Sequence, residues 1–212
     1  MFPNLNIISI IVEIKGIDKF VTDKVTDMKG LFAQCWELET LDLSSFNTSN
    51  VISMEFMFND CKKLKKIKGL NNFNTTNVNN MYGLFSLCSE LESLDLSNFD
   101  TSNVTNIACF FCGCNKLKEI KGLTNFVTNK ATDMMGMFQQ CSELESLDLS
   151  SFNTSNVTNM SYLFDNCYKL KEIKGINNFN TDKVIDMKDM FNSCIELKSL
   201  DLSHFNTSNM ID

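Results

Sequence analysis

Phenylalanine recurs at Phe20, Phe46, Phe73, Phe99, Phe126, Phe152, Phe179 and Phe205, in steps that alternate strictly between 26 and 27 residues. Two residues beyond each stands a threonine: Thr22, Thr48, Thr75, Thr101, Thr128, Thr154, Thr181 and Thr207. A fixed period of this size means that one structural unit is stacked on itself, each turn of chain burying its apolar face against the next. The expectation is an α/β solenoid of about eight coils spanning residues 1–212, with no internal domain boundary. Met1 to Val12 is apolar but has neither a basic start nor a small-residue cleavage site, so it reads as a degenerate first coil.

The stretch Cys141 to Cys167 shows one coil. Leu144, Leu147 and Leu149 form an LxxLxL pattern, and the alternation over Leu147-Asp148-Leu149 predicts a short parallel strand. Phe152-Asn153-Thr154 then turns the chain. Val157, Met160, Leu163, Phe164 and Cys167 lie at helical spacing, which predicts a short helix. Its start would be capped by the column Asp23, Ser49, Thr76, Ser102, Asn129, Ser155, Asp182 and Ser208, with Thr154 and its equivalents sharing the task. The Met28 and Phe32 columns return in every complete coil. Repetition marks them as core rather than as a cofactor box.

Coils come in two lengths. The shorter carries Leu-Asp-Leu-Ser-x-Phe, the longer Ile-Lys-Gly-(Leu/Ile)-x-x-Phe, and the extra residue maps to Gly16, Gly69, Gly122 and Gly175. A bulge at a glycine of positive φ would absorb it.

Exposed strand positions alternate in sign: Lys15, Asp42, Lys68, Asp95, Lys121, Asp148, Lys174, Asp201 in one column, and Glu37, Lys63, Glu90, Lys116, Glu143, Lys169, Glu196 in another. A third, Glu39, Lys65, Glu92, Lys118, Glu145, Lys171, breaks the rule at Lys198. With parallel strands about 4.8 Å apart, each charge would lie between two of opposite sign, and a slip of one coil would stack like on like. The columns read either as a ligand-binding stripe or, with little net field to steer a partner, as a self-neutralising solvated sheet; the second reading is preferred.

Cys35, Cys61, Cys88, Cys114, Cys141, Cys167 and Cys194 form one column. Vertical disulfides fall within the permitted Cα range, but seven side chains pointing the same way favour free, buried thiols. Cys109 and Cys112 stand outside the column and give Cys109-Phe-Phe-Cys112-Gly-Cys114. That cluster reads as zinc ligands or as sequence drift, and the missing fourth ligand favours drift. His204, the only histidine, occupies a variable loop position. No nucleophile elbow, HExxH or phosphate-cradling loop occurs, and the carboxylates sit in periodic columns. The sequence therefore names no catalytic, cofactor or metal residue and points away from an enzyme. A threonine ladder that organises surface water is an alternative to one that bonds backbone, and the latter is simpler. A net charge of −7 argues against nucleic acid, and no apolar run has the roughly 20 residues of a membrane span.

The unit from Leu147 through Thr154 and Met160 to Leu163-Phe164-x-x-Cys167 resembles the repeat of BspA-like leucine-rich-repeat surface proteins, the domain-of-unknown-function-285 (DUF285) type. The resemblance covers about residues 10 to 212, with Phe152 where ordinary leucine-rich repeats place Asn or Cys. It implies a right-handed solenoid with a parallel sheet on one side. It also implies surface adhesion or binding of a protein partner: a host, matrix or cell-surface protein. It supplies no binding residue to carry over. No signal peptide, lipobox or wall anchor is legible, and the chain stops at Asp212 where the next coil face should be covered. It is thus expected to be a fragment of a longer protein, or to have its end buried by a partner. The alternative to a surface adhesin is a cytoplasmic scaffold that self-associates end to end through Met210 and Ile211.

Overall fold

The computed structural model describes residues 10–210 and shows a division of labour between two sides of a stacked coil. Short strands form one side: β1 (Thr40–Asp42), β2 (Lys66–Lys68), β3 (Ser93–Asp95), β4 (Glu119–Lys121), β5 (Ser146–Asp148) and β6 (Glu172–Lys174). They are parallel, as alternation predicts, but they pair only in twos: β1 with β2, β3 with β4, β5 with β6. In each pair the central leucine of the short coil faces the isoleucine of the long one, as Leu94 faces Ile120.

The expected helix is absent. The described residues contain no α-helix, and Val157 to Cys167 is a chain of tight turns. Its backbone donors alternate between two destinations. The N–H groups of Met160, Tyr162, Phe164 and Asn166 donate to Asp186, Lys188, Met190 and Asn192 of the next coil. Those of Leu163, Asp165 and Cys167 donate three residues back, to Met160, Tyr162 and Phe164. The coil is therefore strand-like toward its neighbour and turn-like within itself. Tyr162 (φ 59) and Asn166 (φ 58) make this possible, because the left-handed region at the third turn residue is what a type II turn requires. Each such non-glycine residue costs about 1–2 kcal/mol, and the hydrogen bonds into the next coil offset it. The same two positions are left-handed in every coil, at Gly30, Phe56, Gly83, Cys109, Gly136 and Asp189 and at Gln34, Asp60, Leu87, Gly113, Gln140 and Ser193.

As a result the turn side carries the uninterrupted ladder. Backbone bridges run Asp27, Ser53, Asn80, Asn106, Asp133, Asn159, Asp186 without a break. The strand side is broken between β2 and β3 and between β4 and β5.

Helical turns of 3-10 type do occur, one in each long coil, at Ile17–Lys19, Leu70–Asn72, Leu123–Asn125 and Ile176–Asn178. Each follows the left-handed glycine directly (Gly69 φ 85, Gly122 φ 84). The extra residue of the long coil is thus taken up by this turn rather than by a bulge. The glycine is required on a second count: a Cβ at Gly122 would lie 2.5 Å from the Ser97 backbone, and one at Gly69 equally close to Ser44 N.

The core is a set of vertical stacks. Phe32, Phe58, Phe85, Phe111, Phe138, Phe164 and Phe191 lie 5.3–6.2 Å apart, ring over ring. The threonine column is buried beside them, and it joins coils rather than capping helices. Thr101 Oγ1 donates to Val127 O at 3.0 Å and accepts from Val127 N–H at 2.8 Å; Thr128 does the same with Asn153. The preceding column performs the local turn: Asn153 Oδ1 accepts from Ser155 N–H and Asn47 Oδ1 from Ser49 N–H, each at 3.0 Å. The Ser49 column is thereby a recipient of capping, not its source. A second asparagine column bridges coils, with Asn77 Nδ2 donating to Ser49 O and Asn156 Nδ2 to Asn129 O at 2.8 Å. Neither asparagine role was read from the sequence, although both columns are visible in it.

Candidate binding face

Within a strand pair the charge columns meet as expected. Lys65 bonds Glu39 at 2.9 Å, Lys118 bonds Glu92 at 3.0 Å and Lys171 bonds Glu145 at 2.7 Å. Lys116–Glu90 and Lys169–Glu143 follow at 2.7 Å, and Lys63 pairs with Glu37. Every such bridge lies inside a pair; none crosses from β2 to β3 or from β4 to β5 among the described residues. The expectation that each charge is bridged on both sides is therefore corrected: the bridges that form between coils on this face join the two members of a pair, and the register lock acts on pairs of coils. The lysine bonds hold Glu39, Glu92 and Glu145 below the ordinary carboxylate range. Asp42, Asp95 and Asp148 are lowered mainly by hydrogen bonds from the hydroxyl and N–H of Ser44, Ser97 and Ser150. All are exposed, so solvent screens each pair and it contributes little to stability.

The breaks between pairs open two equivalent clefts, 53 residues apart in sequence. The first, about 590 Å³, is floored by Ile67, Leu70 and Leu94 and rimmed by Lys66, Ser93 and Asp95. The second, about 100 Å³, has Ile120, Leu123 and Leu147 in the same places with Ser146 and Asp148 at the rim. Their cause is the long coil itself. It turns inward at the glycine, where Asn72 and Asn125 N–H bond back to Gly69 and Gly122 carbonyls, so its strand makes no ladder with the next short coil. Each cleft thus joins an apolar floor to unpaired strand edges, the combination that accepts an added extended segment.

The remaining sequence candidates separate cleanly. His204 is exposed on the last described coil. Six of the ladder thiols bond a carbonyl of the preceding coil, from Cys61 to Phe32 O (3.0 Å) through Cys194 to Phe164 O (3.0 Å). Burial pushes Cys88 and Cys141 well above the usual thiol range and Cys114 up to about 12, so these sulfurs act as small core hydrophobes with one satisfied donor. The Cys109-x-x-Cys112-x-Cys114 cluster is split, because Cys114 is turned into the core while Cys109 and Cys112 are half-exposed. No group of three or more potential metal ligands forms among the described residues. No described helix is long and apolar enough to cross a membrane.

Solved leucine-rich repeat structures are similar at low identity. The leucine-rich repeat protein of T. pallidum (TpLRR) is 20% identical with a TM-score of 0.44, over 82% of this chain and 72% of that one. One from Eubacterium ventriosum is 15% identical with a TM-score of 0.48, over 85% of this chain and 59% of that one. One from Bacteroides ovatus is 19% identical with a TM-score of 0.33, over 86% and 59%. No curated protein matches the chain. The family model described as "Mycoplasma protein of unknown function, DUF285" matches residues 1–119, 84–173 and 132–212. Those matches together span the sequence and establish that the chain belongs to the DUF285 family.

Proposed function

We propose that this solenoid is a non-catalytic protein-binding module that acts in adhesion at a cell surface, and that its strand face receives the partner. One observation carries the reading: two equivalent clefts interrupt the strand ladder and repeat at every second coil. Regularly spaced apolar slots rimmed by charge and unpaired backbone suit an extended protein segment lying across the coils. The test has two parts. Protease treatment of intact source cells should release peptides of this chain before lysis; protection until lysis would overturn the surface assignment. Placing arginine in both clefts, as Ser93→Arg with Ser146→Arg, should reduce binding to immobilised matrix proteins at least about tenfold, since an exposed rim position can be changed without touching the core. Undiminished binding by a folded double variant would move the interface off this face.

A second reading has its own observation. In the preceding coils the N–H groups equivalent to those of Met187, Asp189, Phe191 and Ser193 donate to the following coil. Around them Met187, Met190, Phe191, Leu202 and Phe205 line an apolar cleft of about 610 Å³. At the opposite end Ile10, Val12 and Val21 are well exposed. Two copies stacked head to tail would cover both surfaces. Sedimentation should then show concentration-dependent oligomers that Met210→Glu abolishes, whereas a monomer at all concentrations would sink this reading. The Ile211 half of the expected contact lies outside the described residues.

A further inference from the structure

The two cysteines outside the ladder are placed unlike the other seven. Cys109 is left-handed (φ 54), and the N–H of Cys112 closes a turn onto Cys109 O at 3.1 Å. Such a turn brings the first and fourth Cα within about 7 Å, the separation a disulfide spans. Cys112 Sγ lies 3.4 Å from Gln139 Oε1, and the Cys112 and Tyr82 side chains are the neighbours that lower the pKa of the Cys109 thiol, against its burial. The position stacked over Cys109 is Gly136, whose Cβ, if present, would lie 3.6 Å from the Cys109 sulfur. Glycine there leaves that side of the sulfur without a side-chain cover. Both residues are half-exposed, on the turn side and away from the clefts.

We propose that Cys109 and Cys112 form a reactive dithiol, a site of thiol–disulfide exchange with small-molecule disulfides. Cys109 is the attacking group and Cys112 the resolving one. The hydrogen bonds from Cys112 and Tyr82 stabilise the Cys109 thiolate and lower its pKa, while the bond to Cys109 and burial raise that of Cys112. The Cys109 thiolate attacks one sulfur of R–S–S–R, forming a mixed disulfide and expelling RS⁻, which takes a proton from solvent. Cys112 then loses its proton to solvent and attacks Cys109 Sγ, expelling the second RS⁻, which is protonated in turn. The protein loses two electrons and two protons, and the disulfide becomes two molecules of RSH. The ladder cannot compete. Cys35, Cys61, Cys88, Cys114, Cys141 and Cys167 are buried, all but Cys35 with the S–H group on a carbonyl, and the half-exposed Cys194 donates to Phe164 O while burial raises its thiol to about 11.

The probe is glutathione disulfide, applied to the folded full chain, followed by alkylation of remaining thiols and peptide mass spectrometry. The expected product is a single Cys109–Cys112 disulfide with the ladder cysteines still free. Cys112→Ser should accumulate glutathione on Cys109. Cys109→Ser should leave Cys112 at least about tenfold slower to react, the ranking that thiolate character sets. Both substitutions fall at half-exposed positions, and an unchanged melting temperature verifies that each variant is folded. Overturning results are equal reaction of ladder and off-ladder cysteines, a stable glutathione adduct on Cys109 in the parent protein, or no reaction at either cysteine.

Discussion

Replacement of Phe85 by alanine is expected to destabilise the protein by about 3–5 kcal/mol, the largest effect of any single side-chain truncation in the stack. Phe85 is completely buried. Its ring lies 5.3 Å from that of Phe58, 5.5 Å from Phe110 and 6.2 Å from Phe111. Truncation removes two stacking partners at once and leaves a cavity that cannot collapse, because the backbone on both sides is fixed by bonds to the coils above and below. Position matters as well as size. In a one-dimensional array stability is a sum of coil and interface terms, so a defect in the middle uncouples the two halves. Chemical denaturation of Phe85→Ala should therefore show a broadened or split transition, whereas Phe191→Ala, at a half-buried terminal place, should lower the midpoint much less. Equal losses at the two positions would contradict this account of the stack.

The second large effect is expected from a single methyl group. Gly122→Ala should cost about 2–4 kcal/mol, combining the left-handed penalty with a forced backbone shift. The added carbon would lie 2.5 Å from Ser97 N and Cα and 2.7 Å from Leu96 C, all main-chain atoms of the paired short coil. They cannot rotate away. Gly136→Ala is the control, because it too has a positive φ (57) but its nearest neighbour is the end of the Gln139 side chain at 3.2 Å. That variant should lose only the conformational term, about 1 kcal/mol. Thermal melts of the pair separate backbone contact from backbone conformation; indistinguishable melts would mean that the close approach at Gly122 relaxes freely.

These glycines also show where the sequence could be read and where it could not. The columns of Phe, Met, Leu and Cys gave the stacking direction and the core, because a periodic apolar residue has only one economical place in a coil. Alternation over Leu-Asp-Leu located the strands. The helix was misread because Val157, Met160, Leu163, Phe164 and Cys167 keep a three-to-four-residue apolar spacing that successive type II turns reproduce. What separates the two is a left-handed residue at every second turn, and Phe56, Cys109 and Tyr162 occupy such positions without any local signal. Gly30, Gly83 and Gly136, recurring in alternate coils at the same place, were the legible clue. The clefts depended on a subtler consequence. The sequence showed the extra glycine residue, but whether it bulges or winds into a 3-10 turn decides if the strand ladder continues, and the pattern of residues is the same for both. The Cys109-x-x-Cys112-x-Cys114 spacing is visible in the sequence; that Cys114 turns away from the other two follows only from its place in the ladder.

The unequal ladders on the two sides have a mechanical meaning. Main-chain bonds cross every interface between described coils on the turn side, but the strand ladder is closed only at alternate ones. A rod so built is not equally stiff in all directions. Bending that compresses the turns and spreads the strands is resisted there by a strand ladder at only every other coil, while the opposite bend must stretch a continuous seam. Such a rod flexes in one plane with a preferred sense, opening its slots as it bends. Tension along its axis would be borne by the seam, and the slots would widen before any coil came undone.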